Sequence, residues 1–148
     1  MRFEFRLTGH GSATAEIDDE AAHLEVIASY ISDPLGDLLH ALWRLMEGDP
    51  EARCSWEDEP GEYRWIMNRE IDEVVLRILE FPNSHPAQPD DLGRLVFQTR
   101  QGISTFARAI ALGASRTLEV NGDVGYRDGW GRPFPSRTLT LIQAALRS

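Results

Sequence analysis

At 148 residues, 42% of them hydrophobic and 26% charged, the chain has the length and composition of one globular domain with its own core. Its formal net charge of −9 excludes a general nucleic-acid binder, which needs a basic footprint. No apolar run reaches the roughly 18 residues of a membrane helix, and Met1–Leu7 alternates polar and apolar residues rather than forming a signal-peptide core. No membrane partner and a cytoplasmic location are therefore expected.

Phe3, Phe5 and Leu7 alternate with polar residues, the period of a half-buried strand, until Gly9-His10-Gly11 breaks it. Ala13, Ala15 and Ile17 form a second alternating run, and residues 18–22 are turn-forming and charged. Leu24, Val26, Ala28 and Tyr30 form a third run, with Tyr30 on its apolar face. Three strands in a meander are predicted. Asp33-Pro34 is a helix start, with Asp33 at the N-cap and Pro34 at the first helical position. Leu35, Leu38, Leu39, Leu42, Leu45 and Met46 then recur at three and four, which predicts a helix over 34–47 stopped by Gly48 and Pro50.

Residues 53–67 predict a β-hairpin turning at Pro60-Gly61. Centring the loop there pairs Trp56 with Trp65, Cys54 with Met67 and Asp58 with Tyr63 on one face. Glu57 then pairs with Arg64, Ser55 with Ile66 and Arg53 with Asn68 on the other. An aromatic pair and an opposite-charge pair each stabilise such a register by about 0.2–1 kcal/mol. The bulk of the indoles favours burial of the tryptophan face. The reverse arrangement would expose an acidic-rimmed aromatic patch suited to a protein partner.

Residues 68–72 are a second turn region, and Val74, Leu76 and Ile78 mark a central strand. Pro82, Pro86 and Pro89 make 81–91 a loop. Leu95, Phe97 and Thr99 suggest a short seventh strand or the lead-in to a helix. Ile103, Phe106, Ala107, Ile110, Ala111, Ala114 and Leu118 form a helical stripe. The glycine- and proline-rich segment 121–135 reads as a long loop, and Ser136 as the cap of a last helix. The expected fold is one α+β domain over 1–148: a six- to seven-stranded, mainly antiparallel sheet packed with about three helices. Residues 1–80 are its acidic, sheet-rich part and 94–148 its basic, helical part.

That division follows the charge. Residues 1–93 carry 21 of the 24 acidic residues and 7 of the 15 arginines, net −14, whereas residues 94–148 carry 3 acids and 8 arginines, net +5. Either the basic segment docks on the acidic one, or the acidic part meets a basic protein partner.

Few residues assemble into chemistry. Cys54 is the only cysteine, which rules out an intrachain disulfide and a multi-thiolate metal site. His10, His23, His40 and His85 show no helical ligand pair; His23 and Glu25 share a strand face without a third ligand. No G-x-S-x-G elbow or phosphate loop occurs. The clustered carboxylates at 18–20, 57–59 and 90–91 lie in wet turns, unsuited to a general acid. No catalytic residue, metal ligand or cofactor is expected. Two groups remain as candidate partner- or ligand-binding residues. Tyr126, Arg127 and Trp130 lie in the long loop, where such residue types anchor interfaces or plug a core. Glu57, Tyr63 and Arg64 lie on the hairpin.

Ser-Asp-Pro-Leu-Gly-Asp-Leu-Leu at 32–39 with Glu-Pro-Gly-Glu-Tyr-Arg-Trp at 59–65 resembles small uncharacterised proteins of high-GC bacterial genomes, a resemblance that implies no activity or cofactor. In size and charge the chain also resembles immunity proteins that neutralise bacterial toxins. The resulting expectation is a non-enzymatic protein-binding domain, immunity-like. The alternative is a small-molecule binder or enzyme with a pocket between the sheet and the 121–135 loop. A homodimer built on an exposed strand edge is a third reading.

Overall fold

A computed structural model describes residues 1–85 and 87–148; Pro86, read as part of the 81–91 loop, lies outside the described residues. The elements are β1 (Arg2–Gly9), β2 (Ser12–Asp18), β3 (His23–Ser29), α1 (Pro34–Met46), β4 (Glu51–Asp58), β5 (Gly61–Glu70), β6 (Glu73–Phe81), β7 (Arg94–Gly102), α2 (Ile103–Trp130) and α3 (Ser136–Arg147), with a 3-10 turn at Asp90–Leu92. The α+β class with three helices is as expected. The single sheet is not: β1-β2-β3 and β4-β5-β6-β7 are separate antiparallel meanders. Alternation shows which face of a strand is buried, not what covers it. Here the two apolar faces cover each other, with Phe3 edge-on to Trp65 at 6.3 Å and Phe5 edge-on to Trp56 at 5.8 Å.

The helices close the open sides. α1 packs along β4 and α2 along β1, one edge strand of each sheet, and α3 packs on both helices. Gly113 lets α2 approach β1 closely, since a Cβ there would lie 2.3 Å from the Phe3 carbonyl oxygen. One turn later, the Thr117 hydroxyl donates to the Phe5 carbonyl at 2.6 Å, a second tie between α2 and β1. Asp33 caps α1 as predicted, accepting the Gly36 N–H at 3.3 Å. Ser136 is no cap: it is the first helical residue of α3, with Pro135 before it. None of the helices among the described residues is long and apolar enough to cross a membrane.

Two further expectations change. Residues 94–102 form a full strand, so the basic part is not wholly helical. The loop expected at 121–135 is helical as far as Trp130, broken only at Gly122 (φ 70°) and closed by Gly131 in the left-handed region (φ 90°). Glycines at 125 and 129 disfavour a helix by about 1 kcal/mol each. Burial of Tyr126 and Trp130, one turn apart on the inner face, outweighs them.

Candidate binding surface

The β4–β5 hairpin positions the candidate residues, and its register is shifted by two from the expected one. Trp56 lies opposite Tyr63, Cys54 opposite Trp65, Ser55 opposite Arg64 and Glu57 opposite Glu62. The tight turn is centred on Glu59-Pro60, not on Pro60-Gly61. An even shift keeps every side chain on its face, so Trp56 and Trp65 are buried as the indole bulk predicts. The expected Glu57–Arg64 pair does not form.

Arg64 is buried on the outer face of the four-stranded sheet. Its guanidinium donates to the Gln88 carbonyl at 2.7 Å, to Asp90 at 2.9 Å and to buried Glu62 at 3.4 Å, and lies 4.3 Å from the centre of the Phe81 ring. Arg53 grips the same Asp90 with two nitrogens, at 2.9 and 2.8 Å, and also holds Glu51. These hydrogen bonds, Arg53's first, hold the Asp90 carboxyl down at about 2, while partial burial opposes them. A hollow of about 570 Å³ beside the cluster is lined by both arginines and Gln88–Asp90. Every charge in it is matched within the chain, so the cluster acts as a latch for the segment after β6. Tyr63 is half-buried and donates to Glu80 at 3.2 Å; burial, and then the Glu80 charge, push its hydroxyl pKa up.

Tyr126 and Trp130 lie in the core, where Tyr126 meets Phe134 edge-on at 5.2 Å and Trp130 meets Phe5 at 6.0 Å. They fill the core beneath the 126–130 stretch, while a hollow of about 300 Å³ lies between β1 and α2, lined by Phe5, Leu7, Thr117 and Asn121 among others. Arg127 points outward. It and Arg108, Arg116, Arg132, Arg137 and Arg147 make no ion pair among the described residues, whereas Arg94 and Arg100 of β7 pair with Glu80, Glu70 and Glu73. Among the described residues no three His, Cys, Asp or Glu side chains are placed to hold a metal. His23 approaches Glu16 and Asp18, but Arg6 and Arg2 already hold those carboxylates. Burial pushes the Cys54 thiol far above its ordinary range, which disfavours the thiolate.

A surface the sequence reading missed lies at the β3–α1 junction. β3 stops at Ser29, so Tyr30 leaves the alternation that placed it inward and is 61% exposed; Ile31 is 44% exposed. The Tyr30 ring is nonetheless seated. Its N–H donates to the Gly11 carbonyl at 3.0 Å, and a Cβ on Gly11 (φ 72°) would lie 2.6 Å from the ring. The Ser29 hydroxyl donates to the Glu57 carbonyl at 3.1 Å, which sets Tyr30 beside the β4–β5 tip. Glu57, Asp58 and Glu59 at that tip have no ion-pair partner among the described residues; the Glu57 carboxylate accepts the Ser84 hydroxyl at 3.4 Å. Glu57, Glu59, Pro60, Asn83 and Ser84 line an open hollow of about 780 Å³. Of the six candidates, only Glu57 belongs to this surface. Two adjacent large apolar residues at 30–31, separated by Ser32 from the Asp33 helix cap, are the signal by which it was open to being found.

The fold and this surface define an α+β protein with an exposed aromatic seated beside carboxylates that have no ion-pair partner among the described residues. Neither a protein-family model nor a curated protein sequence matches the chain. A solved structure, described as "CdiA-CT/CdiI toxin and immunity complex from Enterobacter cloacae", contains a chain similar in fold. The TM-score is 0.50 with 11% identity, over 76% of this chain and 99% of that one. At that identity the likeness is one of fold.

Proposed function

We propose that this chain is a protein-binding protein of the immunity type, which neutralises a basic protein partner by docking it on Tyr30, Ile31 and the acidic β4–β5 tip. The observation that carries the reading is Tyr30, well exposed yet held on Gly11. An aromatic ring already ordered in the free protein loses little entropy on binding, and tyrosine is among the residues that dominate interface energies. Unpaired carboxylates beside it attract and orient a basic surface, with an association rate that falls as salt rises. The fold likeness to a chain of a toxin–immunity complex supports the same class of role.

The test expresses each gene product encoded next to this chain, with and without it. One product is expected to arrest growth, and this chain to restore growth and co-purify with it. Tyr30→Ala and Glu59→Arg should each weaken that complex at least tenfold, about 1.4 kcal/mol, with the melting temperature unchanged. Absence of neutralisation and complex formation with every neighbour overturns the proposal, as does wild-type affinity in Tyr30→Ala.

A further inference from the structure

At the opposite end of β5, roughly 30 Å away at about 3.3 Å per residue, the β5–β6 hairpin turns through Ile71-Asp72 between the paired Glu70 and Glu73. Ile71 has φ 58° and is 87% exposed. A β-branched residue in the left-handed region is a true outlier, because its branched carbon crowds the backbone. Where the first central residue of a two-residue hairpin turn has positive φ and the second does not, glycine is the ordinary occupant. Ile71 therefore combines backbone strain with a nearly bare aliphatic side chain.

The surrounding structure holds the tip in place. Arg69 donates to the Ile71 carbonyl at 3.0 Å and to the α1 C-terminal carbonyl of Leu45 at 2.8 Å, and the Ile103 N–H donates to the Asp72 carbonyl at 2.8 Å. Strain maintained by such bracing marks positions used for function. Glu70 and Glu73 share Arg100, while Asp72 and nearby Glu47 have no ion-pair partner among the described residues, so the collar is net acidic. A cleft of about 220 Å³ floored by Trp43, Met46, Ile103 and Leu146 lies at the same end, with Arg69 in its wall.

We infer that Ile71 is the knob of a second protein contact, separate from the Tyr30 surface. Its partner is a protein with a narrow apolar pocket rimmed by lysine or arginine. The pocket takes the isoleucine side chain and the basic rim meets Asp72 and its neighbours. This goes beyond the function proposed above and stands or falls separately.

The test uses the full chain in two arms. In the first, Ile71→Gly and Ile71→Asn should raise the melting temperature by about 3 °C, since both residues accept positive φ and little burial is lost. In the second, a displayed library of genomic fragments from the source organism is selected on the wild-type chain. Expected are binders that weaken at least tenfold on Ile71→Asn, persist on Ile71→Val, ignore Tyr30→Ala and carry basic residues around apolar ones. Binders that all depend on Tyr30 and are indifferent to Ile71→Asn count against the inference. A melting temperature that is unchanged or lowered in both first-arm variants overturns the inference, and so does a selection yielding no Ile71-dependent binder.

Discussion

Replacing Arg64 by methionine keeps an unbranched stem over Phe81 and deletes only the guanidinium. In the wild type, that group sits with its side chain 9% exposed beside Glu62 at 4%. The deletion strands the Glu62 carboxylate without its cation and leaves the Gln88 carbonyl without its 2.7 Å donor. Breaking a buried ion pair from one side costs about 3–5 kcal/mol. Here the lower end applies, about 3 kcal/mol, because the Glu62 contact is long and Asp90 keeps both hydrogen bonds from Arg53. In a chain of this size that lowers the melting temperature by about 10 °C. Equilibrium urea unfolding reads the loss directly. The double variant Arg64→Met/Glu62→Leu removes both charges and should regain more than half of it, whereas the segment at Gln88–Asp90 should exchange amide hydrogens faster in both variants. A loss below 1 kcal/mol in the single variant, or none regained in the double, would refute the assignment of Arg64 as a desolvated latch.

Gly113→Ala tests the approach of α2 to β1. Helix propensity alone predicts a gain of about 1 kcal/mol. A methyl 2.3 Å from the Phe3 carbonyl oxygen must instead push the helix away, for a net loss of about 1–2 kcal/mol, and a melting curve at or above wild type contradicts the close contact. The Asp90 carboxyl, held at about 2 against an ordinary 3.8, gives a stability term that is full above about pH 4 and lost as pH falls through 2. Discounted for its 30% exposure, that term is about 1 kcal/mol, and it should vanish from the acid limb of urea midpoints in Asp90→Asn. Identical pH slopes in the two proteins would exclude it.

The local elements were legible because each rests on neighbours in the chain. Alternation at 3–7, 13–17 and 24–28 set strand faces, the Asp33-Pro34 start and the leucine stripe set α1, and indole bulk set the buried side of the hairpin. The hairpin register was misread by two because Pro60-Gly61 and Glu59-Pro60 are both turn-compatible pairs, and side-chain faces are the same in either. Segment 121–130 was misread for a different reason. Its glycines favour a loop locally, and only the core position of Tyr126 and Trp130 makes a helix the better state.

The candidate surfaces show the same division. Acidic residues at 57–59 and a basic C-terminal third are facts of composition, and the expectation of a basic protein partner rests on them alone. Strand-to-strand distance was not. Arg64 is withdrawn by Asp90, 26 residues later, and Tyr30 is presented by Gly11, 19 residues earlier. Ile71 reads in sequence as an ordinary apolar residue near a turn, and its backbone sign is set by the pairing of Glu70 with Glu73. Periodicity, caps and charge act over one or two turns of chain and survive without a partner element. Which of two faces, loops or side chains reaches solvent depends on what packs against it, and that is decided only when distant segments compete for the same buried space.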